Sequence, residues 1–381
     1  MANLRILHVI HTLRYGGAQR YVADLVTAPT DGIEWMVVGL GPPDTLVAEL
    51  HAKGVRIART LSSTPRDPTL PAKLRDLIRS ENVHIIHAHG SMSPFWATLA
   101  LRKLDLPLIV GINSEPAKAR WLSRRFLRPI GLKRADAVVC AAHAIRDQLI
   151  RLYPYAGPKS TVIYNCVDRN RLRITKHREQ VRRELKIPIN APVICNVANI
   201  WWVKGQIYLV RAMAQVIRQI PDAVAIVAGA VTEEKVAEQL RKAIDELGLR
   251  DRFLFLGCRS DVPDLLAASD LFVLSSVTEC LPVSIIEAMM LGTPVVATDV
   301  GGVRELVIDG RTGFVVPPRD PDALAAAIIR VLSSSELAAE FSREALAHIE
   351  NIAAVEPVRA AHIDLYRRIL AGQPLLTTAP V

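Results

Sequence analysis

The sequence predicts an α/β chain made of two Rossmann-like halves. Short β-like apolar runs alternate with helical stretches from one end to the other, a rhythm that calls for parallel sheets covered by helices. Each half also opens in the same way, with a strand, a glycine-bearing turn and a helix: residues 4–10 lead into Gly16-Gly17, and residues 193–199 lead into Lys204-Gly205. A chain of 381 residues is the natural size for two such domains, and with half its residues hydrophobic but only 5% aromatic the two cores should be aliphatic.

In the first half, strand 4–10 passes through His11 to Gly17 into a helical run over 18–26. This is phosphate-cradle grammar without G-x-G-x-x-G or Walker spacing, so a plain tight turn stands beside the phosphate reading. Gly39-Leu40-Gly41 looks dinucleotide-like, but Asp44 stands where the last glycine belongs, and the segment reads as a strand end. A strand over 83–88 ends in His87-Ala88-His89-Gly90. An imidazole at a strand's carboxyl end is expected to face the crevice, with a capped, solvent-facing histidine as the plainer alternative.

Residues 117–134 hold seven Lys/Arg and no acid, with Trp121, Leu122, Phe126 and Leu127 at roughly helical spacing. Such a basic amphipathic stretch suits an anionic membrane surface or an acceptor that carries phosphate. The alternative is a solvated helix face. No nucleic-acid recognition fold accompanies the charge, so nucleic acid is not expected as a partner. After a strand at 136–141, residues 162–168 close the half, and the charged stretch 169–184 follows. The linker is placed near 168–175. The expected division is 1–170 for an N-terminal, acceptor-binding domain, 171–355 for a C-terminal, nucleotide-sugar-binding domain, and 356–381 for a last helix plus tail.

In the second half, a lysine at a strand-to-helix turn, here Lys204, can neutralise a diphosphate, and the helix after it runs to about residue 219. Further strands are expected at 223–228, 252–256 and 271–274, with a crevice-edge loop at 257–263 that contains Arg259. The chemistry concentrates in 275–317. Pro282 sits where the first turn of a helix should begin, and Gly292 where it should stop. Glu279 then precedes the helix and Glu287 lies on its second turn. A helix start leaves about four N–H groups without partners and carries partial positive charge, so a diphosphate fits at Leu281, Pro282, Val283 and Ser284. A carboxylate one turn further in can accept two hydrogen bonds from a vicinal diol such as a ribose. The buried strand that follows runs into the tight turn 299–302 at the sheet's carboxyl edge, where open α/β sheets bind ligands. Asp320-Pro321-Asp322 resembles a metal-binding DxD, but it directly precedes a helical run and reads as a cap, so no metal is assigned. A helix over 356–370 follows, and 371–381 looks disordered.

Net charge is +9, from 47 basic and 38 acidic residues, which fits an acidic small substrate or an anionic surface. The five cysteines (140, 166, 195, 258, 280) form no CxxC pair, so reduced thiols in a cytosolic protein are expected. No run of 18 apolar residues occurs, and 4–10 is too short for a span, so the expectation is a soluble or peripheral protein.

The 275–317 stretch resembles the donor-site signature of the retaining glycosyltransferases of family 4, which have the GT-B fold: two Rossmann-like domains facing across a cleft. The residues that carry the resemblance are Glu279, Pro282, Glu287, Ala288, Gly292, Pro294-Val295, Gly301-Gly302, Glu305 and Gly313. Four positions depart from the family pattern: Cys280 replaces a glycine, Asn199 a basic residue, Tyr164 a proline and Cys166 a glycine.

The resemblance implies metal-independent transfer of a sugar from a UDP- or GDP-linked donor, which is a substrate and not a cofactor, to a hydroxyl acceptor with retention. It implies that Gly16-Gly17 approach the donor phosphates, that His89 lies beside the transferring sugar, and that Lys204 neutralises the diphosphate. Glu279 would bind the sugar's hydroxyls and Glu287 the ribose. Asn199 takes the place of a donor-site cation, which Arg259 would compensate. The last helix would cross back to the N-terminal domain. The acceptor would be a glycan or a lipid-linked glycan in cell-envelope, exopolysaccharide or glycolipid synthesis. The protein would be cytoplasmic, with 117–134 as its contact with the inner face of the membrane. A sugar-nucleotide epimerase on the same fold and a non-catalytic nucleotide-binding relative are the rival readings.

Overall fold

A computed structural model of the chain describes residues 3–375, apart from 14–15, 28–29, 31, 42–45, 59–60, 63, 65–66 and 118–120. Asp44, part of the first glycine turn, part of the basic stretch and the end of the tail therefore lie outside the described residues. The chain divides into two compact units, Met1–Val167 with Val355–Val381, and Asp168–Ala354.

The N-terminal unit holds a seven-stranded parallel sheet in the order β3-β2-β1-β4-β5-β6-β7. Its strands are β1 Leu4–Ile10, β2 Ile33–Gly39, β3 Arg56–Ile57, β4 Ile85–His89, β5 Leu108–Ile112, β6 Ala137–Cys140 and β7 Ser160–Val162. The C-terminal unit repeats the plan with six strands in the order β10-β9-β8-β11-β12-β13. These are β8 Val193–Val197, β9 Val224–Ala228, β10 Phe253–Gly257, β11 Leu271–Leu274, β12 Val295–Thr298 and β13 Phe314–Val316. Central strands such as β4, β5, β9 and β11 are buried at every residue. All but β4, which carries His87 and His89, read as continuous apolar runs because helices cover both faces of each sheet.

Both sheets reverse their strand order between two central strands, β1 and β4 in one unit, β8 and β11 in the other. The loops that leave the carboxyl ends of these neighbours diverge to opposite faces and open a crevice there. Lys204 follows β8 and Glu279 follows β11, so the topology alone brings them to one place.

The last helix, Val355–Leu370, belongs to the N-terminal unit. Arg359 donates to the Leu25 carbonyl and His362 meets Tyr21, which fastens this helix to Gly17–Val26. The expected division after residue 170 falls three residues earlier. Asp168 caps the turn Arg169–Arg171 by accepting from the Asn170 N–H, and Arg171 pairs with Glu287, so these residues fold with the C-terminal unit.

Candidate active site

Lys204 closes a 3-10 turn, Trp202–Lys204, and does not itself open the helix that follows. Gly205 intervenes with φ +61, and the helix Gln206–Gln219 starts after it. Gly205 is required here, because a Cβ would stand 2.1 Å from the Ser275 carbonyl oxygen at the end of β11. This close approach carries Lys204 to the β11 loop. Its Nζ lies 2.7 Å from Glu279 Oε1, which also accepts from Ser276 Oγ at 2.6 Å. The Glu279 side chain is only 8% exposed, so its charge is balanced by the ammonium and not by water.

The helix after Glu279 spans Val283–Met290, with Pro282 as its N-cap and not its first residue. No side chain caps it, so the first N–H groups remain open to an anion. Cys280, where the family has glycine, is not among the residues with positive φ. Its backbone therefore suits a residue with a Cβ. Its carbonyl accepts from the Gly302 N–H at 2.7 Å, and the neighbouring Gly301, φ +56, could not carry a Cβ, which would fall 2.1 Å from the Glu279 carbonyl oxygen. The turn after β12 thus buttresses the Glu279 backbone directly.

Glu287 lies one turn into the helix, buried, with Oε1 2.7 Å from an Arg171 guanidinium nitrogen. Arg171 sits in the charged stretch that the sequence offers only as linker, and neither periodicity nor spacing marks it. Asn199 keeps its side chain for the fold: Oδ1 accepts from the Ala230 N–H at 3.1 Å. Arg259 forks onto Asp261 at 2.7 and 2.6 Å and is thereby held over the loop before the helix Val262–Ala267. The Asp261 carboxylate raises the Arg259 pKa through that hydrogen bond. Asp320 is a helix cap, accepting from the Asp322 and Ala323 N–H groups.

In the N-terminal unit Gly16 and Gly17 open the helix Gly17–Val26, again without a side-chain cap. His89 does not face an open crevice. Its ring is 4% exposed, inside a polar layer between sheet and helices. His8 and His87 are register partners on β1 and β4, and His89 shares their face of the sheet. His8 Nδ1 lies 3.0 Å from His89 Nε2, and His87 Nδ1 lies 2.9 Å from Tyr366 Oη. His362 Nδ1 donates to the Val358 carbonyl at 3.0 Å, so its Nε2 accepts from Tyr21 Oη at 2.8 Å. Burial holds the His8 and His87 pKa values well below the usual range, pushes His89 down to about 3 and His362 to about 4. All four are neutral at physiological pH. His8 on β1 and His362 on the last helix lie far in sequence from the His87-Ala88-His89 pair, so the sequence gives no sign of this layer.

His8, His87 and His89 form the one grouping among the described residues with metal-ligand spacing, one ligand atom from each within 4.8 Å of the others. His87 and His89 are stacked, with ring centroids 4.2 Å apart and planes at 28°. Within this buried layer the Nε2 atoms of His8 and His87 have no hydrogen-bond partner among the described residues.

The basic stretch folds as a π-helical turn, Ser123–Leu127, that continues into the helix Arg128–Arg134. Trp121, Leu122 and Phe126 are exposed and flanked by exposed Arg124 and Arg125, whereas Arg128 is buried. No helix among the described residues is long and apolar enough to cross a membrane. All five cysteines are free thiols, with only Cys258 exposed.

Two family models match the chain: one described as "Glycosyl transferases group 1" over residues 177–348, and one described as "Glycosyltransferase Family 4" over residues 15–171. A D-inositol 3-phosphate glycosyltransferase of Saccharomonospora viridis is 32% identical over 307 residues, covering 76% of this chain and 70% of its own. A UDP-Gal:alpha-D-GlcNAc-diphosphoundecaprenol alpha-1,3-galactosyltransferase of Escherichia coli is 27% identical over 274 residues, 69% of this chain and 70% of its own. Among solved structures, Anabaena HepE in complex with UDP and glucose superposes with a TM-score of 0.87 at 25% identity, covering 96% of this chain and all of that one.

Proposed function

Because this chain belongs to glycosyltransferase family 4, the glycosyl transferases group 1, we propose that it moves a sugar from a nucleoside-diphosphate donor, UDP- or GDP-linked, to a hydroxyl acceptor with retention of anomeric configuration. The observation that carries this reading is the Lys204–Glu279 contact just ahead of an uncapped helix that bears Glu287 one turn further in.

The donor's diphosphate would lie against the first N–H groups of Val283–Met290. Lys204, whose ammonium has three N–H donors and commits one to Glu279, would turn the others to it. These groups are fixed before reaction and meet the charge that grows on the leaving diphosphate, an effect worth several kcal/mol. Arg171 holds Glu287 Oε1, which leaves Oε2 to accept from the ribose diol. Glu279 would receive the sugar's hydroxyls. The bond from the anomeric carbon to the leaving phosphate oxygen breaks, the acceptor oxygen attacks the same face, and its proton passes to the departing phosphate. In the N-terminal unit, Gly16 and Gly17 open an uncapped helix whose first N–H groups suit a phosphate, and His89 is buried in the histidine layer. HepE was solved with UDP, and the E. coli relative's name specifies a UDP-linked donor and a lipid diphosphate acceptor; both favour uridine here and a glycan or lipid-linked acceptor of the cell envelope. The exposed Trp121, Leu122 and Phe126 beside Arg124 and Arg125 would contact an anionic membrane at its cytoplasmic face.

The direct test is calorimetric titration with UDP, GDP and ADP, followed by proton NMR of the product made from the corresponding sugar donor. Saturable UDP or GDP binding and a product of retained configuration are expected. An inverted linkage overturns the mechanism, and a protein that binds none of the three diphosphates is not this enzyme.

A further inference from the structure

A cavity of about 290 Å³ in the C-terminal unit has no part in the site above: neither Lys204, Glu279 nor Glu287 lines it. It is nonetheless adjacent, since Gly205 and Val277, which do line it, lie one residue from Lys204 and two residues from Glu279, respectively. The Val277 N–H donates to the Val203 carbonyl at 2.8 Å, which joins the two loops at the cavity's edge.

Trp201 and Trp202 are the lining residues that call for explanation. They are 46% and 52% exposed, and they stand in consecutive positions beside the donor lysine. A large indole half in water gives up apolar burial that a core position would supply. Around the pair stand Tyr208, Gln239 and Arg319. Arg319 is exposed, has no ion-pair partner among the described residues, and adopts φ +64, a left-handed conformation that a residue with a Cβ takes at some cost. Strain of this kind clusters where a side chain must be aimed.

We propose that this cavity is a saccharide subsite that seats a pyranose ring of the acceptor glycan. The flat C–H face of a sugar ring matches an indole surface, and its rim of hydroxyls needs the donors and acceptors that Tyr208, Gln239 and the Arg319 fork provide. The volume lies at the lower end of the range for ligand pockets, enough for one or two sugar rings and too small for a lipid chain. The inference rests on the transferase reading, which supplies the reason for a sugar to lie beside the Lys204–Glu279 pair.

The test uses the full chain and tryptophan fluorescence, titrated with di- and trisaccharides of glucose, galactose, mannose and N-acetylglucosamine, with and without UDP. Saturable quenching by at least one saccharide is expected. Trp201→Ala and Trp202→Ala, both at exposed positions, should each weaken it about tenfold or more, and Arg319→Ala severalfold. UDP affinity, measured in parallel, should not change in any of the three. The proposal is overturned if no saccharide binds at millimolar concentration, if binding survives in both tryptophan variants, or if UDP competes for the cavity. It is equally overturned if the variants lose anionic-vesicle binding and keep saccharide binding. Failure of the wild-type chain to bind UDP would count against the transferase reading and leave the saccharide titration interpretable by itself.

Discussion

Lys204 Nζ and Glu279 Oε1 stand 2.7 Å apart across 75 residues of sequence. Under the proposed reading, the cation that would meet the diphosphate is thus paired with the acid that would bind the sugar. The two charges cannot be treated as independent. Lys204→Ala should raise the UDP dissociation constant by about 10- to 100-fold, the range for losing a charged hydrogen bond. Glu279→Gln should act in the opposite direction on binding: it frees the ammonium, so UDP binds as tightly or a few-fold tighter, while turnover falls steeply. Calorimetry of both variants separates these outcomes. Weaker UDP binding by Glu279→Gln would mean that the acid positions the lysine and does not compete for it.

Glu287 and Arg171 make the second pair, also 2.7 Å apart and largely shielded from solvent. Glu287→Ala removes the carboxylate proposed to accept from the ribose diol, together with its contact to Arg171. Donor KM should rise about tenfold or more, with a smaller change in kcat, because the ribose is bound equally in ground and transition states. Arg171→Ala should raise KM less. Steady-state kinetics at saturating acceptor tests this, and an unchanged KM in Glu287→Ala would remove the ribose role.

The histidine layer makes stability depend on pH. His8, His87, His89 and His362 have folded-state pKa values lowered by burial, His89 to about 3 and His362 to about 4. In the unfolded chain they titrate near 6.5. The unfolded state therefore binds more protons at mildly acid pH. The layer's contribution is fully present above pH 6.5 and is lost as pH falls from there toward 3 to 4. At pH 5 the loss is on the order of 2 kcal/mol per histidine. The urea midpoint of the N-terminal unit should fall clearly between pH 7.5 and pH 5, read by fluorescence of Trp35, whose indole lies 5.6 Å from the His8 ring. In His362→Phe the fall should shrink by about one histidine's share. A midpoint independent of pH over this window would contradict the buried, neutral layer.

The strand–turn–helix rhythm and the Glu279–Pro282–Glu287 spacing were legible because they are local: each depends on residues a few positions apart. Partners that meet through topology were not. Arg171 reaches Glu287 across 116 residues, and nothing in its own surroundings distinguishes it from the other arginines of that stretch. His8, His87 and His362 lie on β1, β4 and the last helix, and only the strand order that sets β1 beside β4 makes them one group. For the same reason His89 was expected at an open edge. Its position at the end of β4 was readable, but the Val355–Leu370 helix that helps cover the layer comes from the other end of the chain. Asn199 and Cys280 show the converse. As departures from a family pattern they were visible at once, yet what each does follows from backbone contacts at Ala230 and Gly302.

At the N-terminal unit's surface, Trp121, Leu122 and Phe126 are exposed next to Arg124 and Arg125. Trp121→Ala with Phe126→Ala should lower sedimentation with anionic vesicles several-fold, and Arg124→Gln with Arg125→Gln should make the remaining binding less sensitive to salt. Arg128 is unsuited to this comparison because it is buried, and its loss would disturb packing. Vesicle binding that is equal in wild type and variants would mean that the surface is simply solvated.

Asn199→Arg tests the missing cation. The segment that holds Asn199 packs tightly on the next loop: a Cβ on Gly229 would fall 2.1 Å from the Ala198 carbonyl oxygen, and Asn199 Oδ1 accepts from the Ala230 N–H at 3.1 Å. Arginine has no acceptor for that N–H, so the change should cost about 1 kcal/mol of stability, or roughly 2–4 °C in Tm. In return it places a second cation five residues before Lys204. UDP affinity should improve severalfold, and saturating UDP should recover the lost Tm. Asn199→Ala is the control, since it carries the same structural cost without the charge. If both variants lose the same Tm and only the arginine gains affinity, Asn199 serves the loop and not the nucleotide. Weaker UDP binding in both would show instead that the Asn199 amide itself donates to the donor.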